Sequence, residues 1–128
     1  MKQELTLLAY AVALAFAQIL VAVLLAIPQV GLPILMGNRE DMAPLTGAAD
    51  RAQRAYRNML ESLLLFAALV LVAVLAGRTN ATTLLGAQLF IWARFAYATL
   101  YVVGIPVLRT LAWFIAAIGL FLVFWQVI

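Results

Sequence analysis

Residues 5–27 read LTLLAYAVALAFAQILVAVLLAI, 23 residues without a single charge. As a helix rising about 1.5 Å per residue, the run is long enough to cross a hydrocarbon core of roughly 30 Å, so the chain opens on a membrane span. A secretory leader is the rival reading, because Lys2 precedes the run and Ala15-Phe16-Ala17 imitates a cleavage site. The run, however, far exceeds the roughly 7–15 apolar residues of such a leader.

The composition around it agrees. Of the 128 residues, 68% are hydrophobic and 10% charged, whereas a soluble domain is roughly 45–50% apolar and about 25% charged. A unit this small exposes a large share of its residues, so the surface must face lipid. The chain has no cysteine and no histidine, which removes disulfides, thiolate nucleophiles, imidazole bases and the usual zinc sites. Eight basic residues face five acidic ones, and all the basic ones except Lys2 are arginines. The forked guanidinium suits carboxylates and phosphates, so where the arginines fall matters more than the net charge. Nothing in the pattern points to nucleic acid.

Working outward, the turn-rich stretch 28–49 holds Pro28, Pro33 and Pro44 with Gly31, Gly37 and Gly47, and reads as a long loop. Asp50 can cap the helix that follows, since its carboxylate accepts backbone N–H bonds at the positive end of the dipole. That helix is expected over 50–77, a third over 81–103 after the Arg78-Thr79-Asn80 turn, and a fourth over 107–128 beyond Gly104 and Pro106. The first spans 4–27. The expected fold is an all-α membrane protein, one four-transmembrane-helix bundle.

With four spans, both termini share one side with Arg78, and the long loop lies opposite. Arg39, Arg51, Arg54, Arg57 and Arg109 outnumber Lys2 and Arg78, which places the loop in the cytoplasm. Without the helix-two arginines the count is level.

The uncharged part of the second helix, Ser62 to Ala76, is only 15 residues, short of the roughly twenty a span needs, so Asn58 and Glu61 must enter the hydrocarbon zone. Take Arg54 as zero on a helix advancing about 100° per residue: Glu61 lies at about −20°, Asn58 at about +40°, Arg57 at about −60°, Asp50 at about −40° and Arg51 at about +60°. These six share one face. A solvated helix end laced with ion pairs explains Asp50 and Arg51 as well as a site does. It does not explain Glu61, because a carboxylate in lipid needs a partner or a wet cavity. Arg94, the other charge at mid-membrane depth, is the expected partner, as an inter-helix clamp or as a ligand contact.

Arg94, Tyr97 and Tyr101 recur on one stripe of the third helix. The tyrosines are interfacial anchors or pocket walls, and the shared face with an arginine that must avoid lipid favours the pocket. Arg109 and Thr110 begin the fourth helix on the same side, so cations from three segments converge and the ligand is expected to be anionic. Lacking Cys and His, and so a strong nucleophile or neutral-pH base of its own, the protein can act electrostatically on a reactive substrate atom; a substrate thiol fits, because guanidinium and hydroxyl donors stabilise its thiolate.

These residues resemble the MAPEG family, the membrane-associated proteins of eicosanoid and glutathione metabolism. Arg54-Ala55-Tyr56-Arg57-Asn58-Met59-Leu60-Glu61 is similar to the family's R-A-x-x-N-x-x-E signature, and Asn38-Arg39-Glu40-Asp41 resembles its N-x-E-D element. Ala93-Arg94, Tyr101 and Arg109-Thr110 resemble its A-R, Tyr and R-S elements, while Tyr56 and Ser62 depart from residues that some members carry. The resemblance implies a homotrimer in the membrane lipid, with glutathione as co-substrate between subunits near the cytoplasmic face and a lipophilic small-molecule substrate entering from the bilayer. It implies that Arg54, Arg57, Asn58 and Glu61 hold glutathione's charged ends and amides, that Tyr97 and Tyr101 flank it, that Arg94 pairs with Glu61, and that Arg109 with Thr110 steadies the thiolate. A glutathione-dependent transferase or peroxidase is the expected activity. A non-catalytic binding or scaffold trimer is the alternative, and a small proton-coupled exporter using Glu61 is a third.

Overall fold

In the computed structural model, which describes residues 1–40 and 42–128, the chain forms five helices: α1 (Gln3–Val30), α2 (Leu32–Met36), α3 (Gly47–Leu75), α4 (Ala81–Val103) and α5 (Pro106–Val127). No strand occurs among the described residues. Three helices, α1, α3 and α5, are long and apolar enough to cross a membrane. The fourth long helix, α4, has 23 residues but carries Gln88 and Arg94.

Side-chain bonds between helix ends fix an alternating up-and-down order. Gln29 near the end of α1 exchanges two bonds of 2.9 Å with the backbone of Thr46, at the start of α3. Arg51 near the start of α3 donates to the carbonyl of Val102 at the end of α4, at 3.0 Å. Asn80 at the start of α4 donates to Gln126 at the end of α5, at 2.7 Å. At that same end the Thr83 hydroxyl donates to the buried Glu4 carboxylate at 2.8 Å, bringing the start of α1 alongside the start of α4.

The interior follows from small residues at helical spacing. On α1 the buried stripe is Ala11, Ala15, Gln18, Ala22 and Ala26, which lets the backbones of neighbouring helices approach. Phe66 of α3 and Phe90 of α4 stack at the centre with ring centroids 4.1 Å apart. Helices α4 and α5 meet most closely where Gly86 faces Gly119: a Cβ on Gly86 would stand 2.6 Å from the Gly119 carbonyl oxygen, so glycine is required there. Large apolar side chains such as Phe16, Leu64, Trp92 and Phe121 point outward, as expected of a surface solvated by lipid.

Three boundaries differ from the sequence reading. Helix α1 does not stop at Ile27 but carries Pro28 inside it and ends at Gly31, whose N–H reaches the Ile27 carbonyl at 2.9 Å; one proline removes a single backbone bond near a helix end, where little is lost. The expected loop contains α2, a short helix begun by Leu32-Pro33, a position where proline's missing N–H is not needed. Asp50 does not cap α3. The N-cap is Thr46, held extended by Gln29, and Asp50 falls in the first turn, where a negative charge still favours the dipole. The start of α4 matches its expectation: the Asn80 side chain accepts from the backbone of Thr82 and Thr83, and Thr83 returns the bond to Asn80.

Candidate functional site

Arg94 is the centre of the polar interior. It is 1% exposed, the largest fully buried side chain among the described residues, placed by the fourth turn of α4 between α3 and α5. Its Nη1 donates to Asn58 Oδ1 at 2.8 Å, while Nε and Nη2 are buried without a partner among the described residues. A guanidinium has five N–H donors and no means of neutralising itself, so an incompletely bonded one in a dry interior is costly.

The expected Arg94–Glu61 ion pair is not formed. Among the described residues the one ion pair is Arg54 with Asp50, at 3.1 Å on exposed helix surface. The reason is positional. Asn58 stands one turn earlier on α3 and reaches Arg94 from the buried side, whereas Glu61 lies exposed at the rim. Both still line the same cavity of about 180 Å³ between α3, α4 and α5, with Arg94, Ser62 and Trp113.

From Arg94 a ladder of cations and rings runs toward the α4–α5 connection. The Arg94 guanidinium carbon lies 4.2 Å from the Tyr97 ring centroid. Tyr97 and Tyr101 are tilted together at 5.5 Å, and the Arg109 guanidinium covers Tyr101 at 4.1 Å. Contacts of this kind are worth about 0.5–2 kcal/mol each, rising as water is excluded. The turn that allows it is made by Gly104, in the left-handed region at φ 94°, followed by Pro106 at the start of α5. Arg109 is half-buried; Thr110 is exposed, and its hydroxyl donates to the Pro106 carbonyl at 3.0 Å. Thr110 therefore presents oxygen lone pairs rather than a free proton.

Of the nine residues picked from the sequence, Asn58, Arg94, Tyr97, Tyr101 and Arg109 form one continuous contact chain across three helices. Glu61 joins it through the shared cavity. Arg54 and Arg57 do not: both are exposed and face a separate open basin of about 500 Å³, walled by the stretch 42–45 and by Arg39. Arg39, Asn38 and Glu40 of the N-x-E-D element are described, and Asp41 lies outside the described residues.

Trp113 was not among the residues expected from the sequence, and Arg51 takes a different role from the one its helical angle suggested. Trp113 flanks the cavity, and its spacing of one turn from Arg109 was the available signal. Arg51, grouped with the other arginines by helical angle, instead spends its Nε on Val102. Three or more metal-binding side chains do not come together anywhere among the described residues.

No curated protein and no solved structure gives a match to the chain. A family model does, over residues 7–128, so the match takes in every residue of the cavity and of the cation–ring ladder: the chain belongs to the MAPEG family.

Proposed function

We propose that the protein is a glutathione-dependent membrane enzyme, a transferase or peroxidase acting on lipophilic electrophiles or peroxides. Family membership supports a role in glutathione or eicosanoid metabolism; the finer reading rests on Arg94. Arg94, two of whose nitrogens are buried without a partner among the described residues, lines a cavity that also carries a carboxylate, Glu61, and an amide, Asn58. A ligand with its own carboxylates, ammonium group and peptide amides, such as glutathione, supplies the missing partner for each, and a carboxylate on Arg94 gains a charge-assisted bond in a low-dielectric site.

Arg54 and Arg57, in the separate basin beside the start of α3, add positive charge that draws an anion toward this end of the bundle, and Tyr97 and Tyr101 link Arg94 to Arg109. Arg109 then stands where a thiol would need help. A guanidinium nearby favours the thiolate over the thiol. The thiolate attacks the electrophilic atom, forming a bond to sulfur while the displaced electron pair leaves with the departing group or opens a strained ring. No general base from the protein is required beyond solvent, which suits a chain without histidine or cysteine.

The exposed charges also bear on assembly. Helix α3 has 29 residues, about 43 Å long at 1.5 Å per residue, so its last twenty or so fill the hydrocarbon and Arg57 and Glu61 fall within or at the edge of it. Exposed charges at that depth need cover. A homotrimer of four-span subunits, packed so that α3 meets a neighbouring copy, supplies it and completes the glutathione site, with the long loop facing the cytoplasm.

Titration of the detergent-solubilised protein with glutathione is the test. A ligand that binds only the folded state raises the melting temperature with concentration. No rise would sink the reading; a rise without conjugation of a chromogenic electrophile would make the protein a binder rather than an enzyme.

A further inference from the structure

On the opposite face of α4 from the ladder lies a groove of about 290 Å³ between α1, α3 and α4. Its walls are Leu14, Ala52, Ala55, Val102 and similar apolar side chains, with two exceptions, Gln18 and Thr99. The Thr99 hydroxyl donates to the Phe95 carbonyl at 3.1 Å and so offers only its oxygen. Gln18 is different. It stands close to the midpoint of α1, is 9% exposed, and neither its Oε1 nor its Nε2 has a partner among the described residues.

An amide at mid-span has no bulk water to turn to, and a dry one is expensive. The groove has about ten times the roughly 30 Å³ share of one water molecule, and its walls give a water cluster almost nothing to bond. Its occupant must be mostly apolar. A plain hydrocarbon chain fills the walls and leaves the amide unsatisfied. A carbonyl satisfies the Nε2 donors and leaves Oε1 without one. A hydroxyl satisfies both, because an O–H is at once donor and acceptor.

We infer that the groove around Gln18 is a binding site for a lipophile bearing a hydroxyl partway along an apolar chain. The molecule enters from the bilayer, lies along the alanine-lined walls, and presents its O–H to the Gln18 carboxamide toward the end of the bundle where α3 begins and α4 ends. None of the groove's residues lines the Asn58–Arg94 cavity. Loss of glutathione binding would therefore leave this site standing, and its own failure would leave the thiol reading untouched.

Native mass spectrometry of the detergent-solubilised protein reads the preference directly, with three competing probes: methyl octadecanoate, its mid-chain hydroxy derivative and its mid-chain keto derivative. The hydroxy ester should bind about 3- to 10-fold more tightly than the plain ester, the scale of one hydrogen bond made within a membrane protein, with the keto ester between them. Gln18→Leu removes the orphaned amide at similar volume and should bring all three probes level while retaining the plain ester. Equal binding of the three by the unaltered protein overturns the assignment, as does a hydroxyl preference that survives in Gln18→Leu. Should Gln18→Leu alter the number of subunits while the unaltered protein shows no preference, the amide is covered by another copy of the chain and the assignment is wrong. The comparison on the unaltered protein decides the matter even if the variant does not fold.

Discussion

Arg94 and Asn58 are joined by a single 2.8 Å hydrogen bond that spans from α4 to α3. Among the described residues it is the one hydrogen bond of a buried guanidinium. Removing the acceptor strands the charge, so Asn58→Ala should cost about 1.5–3 kcal/mol, the usual range for a hydrogen bond to a charged group. Asn58→Asp, which keeps an oxygen in place, should recover most of it. Thermal melts in detergent make the comparison; an alanine variant as stable as the parent would mean that Arg94 finds its partner on a neighbouring subunit.

Arg109 contacts the Tyr101 ring and not the Asn58–Arg94 pair. If it serves the thiolate, Arg109→Ala lowers turnover of an electrophile by about 10-fold or more, whereas the glutathione concentration that gives half-maximal thermal stabilisation moves little; an interaction made only in the transition state has this signature. Equal loss of both would make Arg109 an anchor for the ligand.

Arg94→Leu should abolish stabilisation by glutathione without lowering the melting temperature of the ligand-free protein by more than about 1 kcal/mol equivalent, because replacing a poorly paired buried charge with an apolar side chain is often neutral or better. A retained glutathione shift in this variant would place the ligand elsewhere, with the Arg54–Arg57 basin the next position to probe.

The Gly86–Gly119 contact sets the distance between α4 and α5, and through it the position of Arg109 and Trp113 opposite Arg94. An added methyl would sit 2.6 Å from backbone, not from a side chain that can swing away. Gly86→Ala should therefore destabilise by about 1–3 kcal/mol, as overpacking of a close contact does. A melt unchanged from the parent would show that the two helices separate freely.

Helices α1, α3 and α5 were legible because long apolar runs announce themselves, and Leu5–Ile27 is the plainest case. Asn80 was placed correctly in a turn because a polar trio interrupts two apolar runs. The start of α3 was not legible: Asp50 is a good capping residue, but Gln29, 17 positions from Thr46, holds Thr46 in the capping role, and no local pattern carries that information. Within the site, helical angle placed Asn58 and Glu61 on one face, yet angle alone does not say which of the two is nearer the neighbouring helix. The packing of α3 on α4 decides that, and the bond goes to Asn58. Gln18 passed unnoticed among apolar neighbours, since one uncharged amide scarcely alters the hydropathy of a span, although its cost is felt only once the helix is packed.

The bond from Arg51 to the Val102 carbonyl occupies a carbonyl in the last turn of α4, a turn that also contains Tyr101. Terminal turns normally unwind on their own, one residue at a time. Here unwinding must first release a side chain rooted in another helix, so the platform beneath Arg109 does not breathe independently of α3. Slow amide hydrogen exchange at 101–103, falling to the pace of an ordinary frayed end in Arg51→Met, would be the physical record of that restraint.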